Sequence, residues 1–136
     1  RNDIMNEIWR ASPVLGVRDV RQAAEYYRDV LGFSLDPVDG IFQLSADEPG
    51  GVYAIVKRRG VWIHIQIRRG DSPERKRQSF EGDVYLYVDD LDALYADLQR
   101  RGAKILQPPA VAPYGLREIM VEDLNGYRLT FGEFVP

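Results

Sequence analysis

The stretch "VWIHIQIRRG", residues 61–70, holds His64, the only histidine of the chain, and there is no cysteine. Thiolate nucleophiles, thiolate metal sites and disulfides are therefore excluded. An imidazole can ligate a divalent metal, act as a general base near neutral pH, or fix a bound molecule by hydrogen bonds. Its neighbours decide among these roles. The polar residues that could join it are Ser12 in "SPVLGV", Gln66, Asp83 in "DVYLYV", and Arg128 and Thr130 in "YRLTF". Glu118 and Glu122, on one face of "LREIMVED", could add a carboxylate. A metal-free acid–base route would use His64 as the base, Asp83 to orient it, and Tyr85 or Arg128 to polarise a carbonyl. There is no glycine-rich phosphate loop and no serine on a nucleophile-elbow turn.

Alternation along the strands groups these residues. In "VWIHIQI", Val61, Ile63, Ile65 and Ile67 form an aliphatic face, and Trp62, His64 and Gln66 form the other. In "DVYLYV", Val84, Leu86 and Val88 oppose Asp83, Tyr85 and Tyr87. In "YRLTF", Tyr127, Leu129 and Phe131 oppose Arg128 and Thr130, and in "SPVLGV", Leu15 and Val17 oppose Ser12, Val14 and Gly16. One face of each strand suits packing under a helix. The other combines aromatic bodies with polar tips, which suits the wall of a ligand cleft better than a wet surface.

The elements that position these strands are duplicated. "LGVRDVRQAAEYYRDVLGF" from Leu15 and "LYVDDLDALYADLQRRGAK" from Leu86 align at a 71-residue offset, with Gly32 and Gly102 matching after a one-residue slip. Each reads as a short strand, an Asp N-cap (Asp19, Asp90), an amphipathic helix of about three turns, and a stopping glycine. Strand candidates follow: "FSLD", "GIFQLSA", "GVYAIVK" and "VWIHIQIR" in the first half, and "AKILQPP", "LREIMVED" and "YRLTFGEF" in the second, the last two joined by Asn125-Gly126. The expected fold is α+β, two repeated β-α-β-β-β modules whose mixed sheets form a cleft or partial barrel with helices outside. The boundaries read 1–10 for an N-terminal appendage, 11–68 for the first module, 69–82 for a polar linker and 83–136 for the second module. Ile4, Met5, Ile8 and Trp9 have the spacing of a short appended helix.

At 136 residues and 45% hydrophobic content, the chain suits one domain built from two half-domains. The net charge of -3 argues against a nucleic-acid partner. No apolar run approaches the roughly 18 residues needed to span a bilayer, and "RNDIMNEIWR" lacks the apolar centre of a signal peptide. A cytoplasmic protein is expected. The basic residues Lys57, Arg58, Arg59, Arg68, Arg69, Arg75, Lys76 and Arg77 read as solvated hairpin tips and linker rather than as a phosphate site.

The paired units, with "SPVLGVRDVRQAAEYYRDVLGFSLD", "DDLDALYADLQRRGAKI" and "PYGLREIMVEDLNGYRLTFGEF", resemble the vicinal oxygen chelate superfamily over about residues 11–134. That superfamily includes glyoxalase I, extradiol dioxygenases and bleomycin-resistance proteins, and the opening segment looks closest to the last of these. Leu124 stands where members often have proline. The resemblance implies that metal ligands, if used, would fall at Ser12, His64, Asp83 and Thr130, the inward residues that alternation also selects. Two of the four are neutral hydroxyls, poor donors to a divalent ion. No cofactor is therefore expected, and if a metal is held, His64 and Asp83 hold it. The resemblance implies sequestration of a small amphipathic, cationic or aromatic ligand. Trp62, Tyr85 and Tyr87 would stack on it, Asp83 would meet a cation, and His64 and Gln66 would orient it. The alternatives are a glyoxalase- or dioxygenase-like metalloenzyme, metal-free catalysis by His64, and a subunit interface built on the aromatics. A homodimer is expected, with modules pairing within or between chains.

Overall fold

The computed structural model describes residues 6–37, 40–43, 50–71 and 76–136. Along the chain run β1 (Val14–Val17), α1 (Val20–Asp29), β2 (Ser34–Leu35), β3 (Ile41–Phe42), β4 (Tyr53–Arg58) and β5 (Val61–Ile67). The second half contains β6 (Val84–Tyr87), α2 (Leu91–Arg100), β7 (Lys104–Val111), β8 (Leu116–Glu122) and β9 (Arg128–Phe134). Asp19 and Asp90 start the two helices as expected: each has extended backbone, and its carboxylate accepts from Gln22 N (3.0 Å) or Ala93 N (3.1 Å). Val20, Ala23, Ala24 and Tyr27 line the buried face of α1, and Leu91, Leu94 and Leu98 that of α2. Gly32 and Gly102 follow with φ of 77° and 81°, the left-handed conformation that ends a helix at least cost in glycine.

The strands form two mixed sheets with equivalent topology, ordered β1-β5-β4-β2 and β6-β9-β8-β7. In each, the first strand of the module lies parallel to the last, and the remaining pairs are antiparallel. Strands β2 and β3 pair with successive stretches of β4, so together they fill one edge position. The α+β fold of two β-α-β-β-β units is thus as expected, with open sheets rather than a closed barrel. The internal duplication extends to register: Val14 sits opposite His64, and its repeat equivalent Tyr85 sits opposite Thr130.

The aliphatic strand faces pack under the helices in one continuous cluster running from Leu15, Ile63 and Ile65 through Leu86 and Leu98 to Ile119, Leu129 and Phe131. The modules are therefore joined through the apolar sides of their sheets. Tyr27 Oη donates to Asp123 Oδ2 (2.6 Å) and Tyr127 Oη to the Gly16 carbonyl (2.8 Å), tying one module to the other.

Two local expectations change. Ile4 and Met5 lie outside the described residues, and residues 7–13 are not helical. Ile8 is 91% and Trp9 69% exposed, so among the described residues little apolar burial offsets the nucleation cost of so short a helix. Strand β7 includes Pro108 and Pro109 as expected, which an edge strand tolerates, but runs on to Val111, two residues beyond "AKILQPP"; its register against β8 shifts between Gln107 and Ala110. Among the described residues, no helix is long and apolar enough to cross a membrane.

Candidate functional site

The polar face of the first sheet centres on β5. Tyr53 Oη and His64 Nδ1 lie 2.6 Å apart with their rings edge to face, so the phenol fixes the imidazole plane. Trp62 presents its ring to Arg10, whose guanidinium carbon lies 4.0 Å from the ring centroid, and to Lys57 Nζ at 5.3 Å. Ser12, Val14 and His64 line a shallow pocket beside the N-terminal segment. Gln66, opposite Tyr53 on β4, is exposed.

The polar face of the second sheet is concave. A cavity of about 680 Å³ lies over it, walled by Asp83 and Tyr85 of β6 and its approach, Thr130 of β9, Glu118 and Met120 of β8, and the 110–114 segment. Glu118 is buried, and its Oε2 accepts from Tyr85 Oη (2.6 Å) and Tyr114 Oη (2.6 Å). Burial and then the hydrogen bond to Glu118 push the Tyr85 phenol far above its ordinary range; Tyr114's own hydrogen bond to Glu118 is the main cause of a rise there. Both phenols thus act as fixed donors. Tyr87 extends the aromatic surface, its ring 5.1 Å from that of Tyr85 and stacked on Phe134 at 5.6 Å.

Asp83 and Arg128 have internal partners. Asp83 Oδ2 accepts from Arg77 Nη1 (2.8 Å) and from Arg128 N (2.9 Å), and both ion-paired side chains are nearly buried. The Arg128 guanidinium donates to the carbonyls of Gln78 (2.8 Å) and Glu81 (3.3 Å), which fastens the approach to β6, while its buried Nε has no partner among the described residues. Part of the basic cluster is likewise structural, since Arg58 donates to the Leu31 carbonyl at the end of α1 and Lys57 pairs with Asp36. Arg75 lies outside the described residues.

The structure therefore brings Ser12 and His64 together in one place and Asp83, Tyr85 and Thr130 in another. None of Trp62, His64 and Gln66 lines the large cavity. The donor set Ser12, His64, Asp83 and Thr130 does not fit a divalent ion: it has two neutral hydroxyls, a carboxylate already neutralised by arginine, and an imidazole bonded to a phenol. Among the described residues, no three His, Asp or Glu side chains gather as metal ligands would.

Sequence reading missed Tyr53, Tyr114 and Gly132. Gly132, mid-strand in β9, had a readable signal, because glycine inside a strand marks close approach by another group. Here a Cβ at residue 132 would collide with the Tyr85 hydroxyl on its way to Glu118. Tyr114 precedes β8 across a turn and belongs to no alternating pattern, so nothing local pointed to it.

Two β-α-β-β-β units, each with a mixed sheet under one helix and a polar, aromatic outer face, place the chain in the class of paired β-α-β-β-β folds. It belongs to the Glyoxalase/Bleomycin resistance protein/Dioxygenase superfamily, whose family model matches residues 10–131. No curated protein matches it. Among solved structures it is similar to TioX from Micromonospora sp. ML1, at 22% identity over 93% of this chain and 100% of that one, with a TM-score of 0.67. The bleomycin-binding protein of Streptomyces verticillus, solved with copper(II)-bleomycin, is 24% identical over 92% and 95% of the two chains, TM-score 0.64. A glyoxalase-related enzyme from Clostridium phytofermentans is 19% identical over 96% and 99%, TM-score 0.71.

Proposed function

We propose that this protein binds a small amphipathic molecule without metal and without changing it, sequestering it as the bleomycin-binding proteins of the same fold hold their drug. The observation that carries this reading is the cavity of about 680 Å³ walled by aromatic and acidic side chains over the second sheet. Its size suits a drug-sized ligand, and its tyrosines offer stacking surfaces that each contribute about 0.5–1.5 kcal/mol beyond area burial. The separation of the two polar faces within one chain supports a homodimer. In it, the Trp62–His64 face of one protomer closes over the Tyr85–Glu118 face of its partner, forming two clefts. A drug-resistance role is compatible with this chemistry.

Calorimetric titration of chelator-treated protein with Zn²⁺, Ni²⁺ and Mn²⁺ tests the reading, with His64→Ala as control. Weak binding that does not depend on His64 is expected. Tight binding of one ion per cleft, lost in the variant, would instead make the protein a metalloenzyme.

One observation favours a second reading. The 2.6 Å contact between Tyr53 and His64 Nδ1 gives the imidazole an orienting partner, as a metal-free general base requires. The two readings separate on His64→Ala: turnover would vanish, whereas sequestration would only weaken.

A further inference from the structure

We infer that Glu118 is a cation-binding centre, and that the ligand it selects is an organic cation, an ammonium or amidinium group borne on an aromatic or apolar body. This rests on the cavity reading above and adds the ligand's charge and the atom that meets it.

Glu118 lies in the middle of β8, buried, with its side chain on the cavity face between Tyr85 and Tyr114. Both phenols donate to the same oxygen, Oε2, at 2.6 Å, the length of a charge-assisted O–H···O⁻ bond. Both phenols therefore fill the acceptor positions of Oε2 and leave the other oxygen to a ligand. The other oxygen, Oε1, accepts no hydrogen bond among the described residues. Oε1 is not sealed off and stays open to the cavity; two neutral phenols supply no positive charge to the carboxylate, so a cation entering the cavity meets an acceptor with room for it. The cavity wall offers no lysine or arginine among the described residues. Its only other charged residue is Asp83, already paired with Arg77. The group placed to meet a cation is thus not Asp83, which leads into β6, but Glu118 of β8, opposite Gly132 on the intervening β9.

The surroundings suit a cation with an apolar body. The rings of Phe80, Tyr85 and Tyr114 line the same cavity, and aromatic faces attract cations. Met120 and Ala110 give an apolar floor and rim. Gly132 is part of the device, because only a residue without Cβ lets the Tyr85 hydroxyl cross β9 to reach Glu118. The rigid donors hold the carboxylate in place, so little ordering cost remains when a cation arrives.

The test uses two probes of equal shape, 1-naphthylmethylammonium and neutral 1-naphthylmethanol, titrated calorimetrically into the full chain. Wild type is expected to bind the ammonium about tenfold more tightly than the alcohol. In Glu118→Gln, whose amide oxygen still accepts from both tyrosines, the two probes should bind within about twofold of each other. An unchanged affinity for the alcohol in that variant shows that the cavity remains folded. Tyr114→Phe removes one compensating donor and keeps the ring, so the ammonium should bind at least as tightly as in wild type. Asp83→Asn should leave the preference intact. Equal binding of both probes to wild type, a preference that survives Glu118→Gln, or one that vanishes in Asp83→Asn would overturn the assignment while leaving the cavity reading in place. Failure of both probes to bind wild type would overturn both.

Discussion

Tyr27 and Asp123 show how single side chains hold the two modules together. Asp123 Oδ2 takes the Tyr27 hydroxyl, and Oδ1 accepts from Asn125 N (2.8 Å) and Tyr127 N (2.9 Å). Burial raises the Asp123 carboxyl above its ordinary value against the pull of these bonds, and burial followed by Asp123 raises the Tyr27 phenol well above 10.0. A group whose folded pKa exceeds its unfolded one stabilises the fold below the unfolded value and loses that contribution as pH rises through the folded one. The Tyr27 contribution is therefore complete at neutral pH and falls away above about pH 10. Tyr27→Phe should lower stability by about 1–2 kcal/mol at neutral pH, read from the urea midpoint, and should flatten the alkaline decline. A variant as stable as wild type would mean the hydroxyl contributes nothing to the joint. At the cavity, Gly132→Ala should displace Tyr85 from Glu118; the expected readout is a return of the Tyr85 phenol toward ordinary titration, followed by ultraviolet absorbance. Residue identities on strand faces were legible because alternation is a strict geometric rule. The burial of Ile63, Ile65, Leu86 and Leu129, with Trp62, Tyr85 and Tyr87 less buried on the opposite faces, follows from it. The pairing of Asp83 with Arg77 was not legible, since it depends on how a polar segment folds back over β9.

At the scale of elements, the helices were the easiest to read. Asp19 and Asp90 precede apolar residues at helical spacing, and glycines with positive φ end both. Turns were harder. Asn125-Gly126 suggested a tight hairpin, but the chain from Asp123 to Tyr127 forms a longer loop organised around the Asp123 carboxylate, with Gly126 at φ 84°. The β4–β5 turn is tighter, with Arg58 opposite Val61, and it places Arg59 at φ 53°, a conformation that costs most side chains about 1 kcal/mol. Arg59→Gly should therefore be neutral or raise stability by about 0.5–1 kcal/mol in chemical denaturation, despite the entropy of a glycine in the unfolded chain. A clear loss of stability would mean that the arginine makes a contact more valuable than the strain it brings.

The whole molecule is a duplicated unit whose two copies share one core and turn their polar faces to different sides. Duplication was visible in the sequence because both copies keep the same caps, apolar spacing and register. The relation between the copies was not, because it is set by packing between distant residues such as Tyr27 and Asp123. The proposed homodimer predicts complementation. Trp62→Ala and Glu118→Gln chains, dissociated and reassociated together, should regain one intact cleft per mixed dimer, counted as ammonium-probe stoichiometry. Pairing of faces within a chain would leave every cleft carrying one mutation. The central claim, metal-independent binding of an unaltered ligand, is tested most directly by titrating chelator-treated wild type with 1-naphthylmethylammonium before and after adding Zn²⁺, then recovering the probe for mass spectrometry. Saturable binding with the same affinity in both titrations, and a probe of unchanged mass, is the predicted result. Binding that appears only with Zn²⁺, or a chemically altered probe, would contradict it.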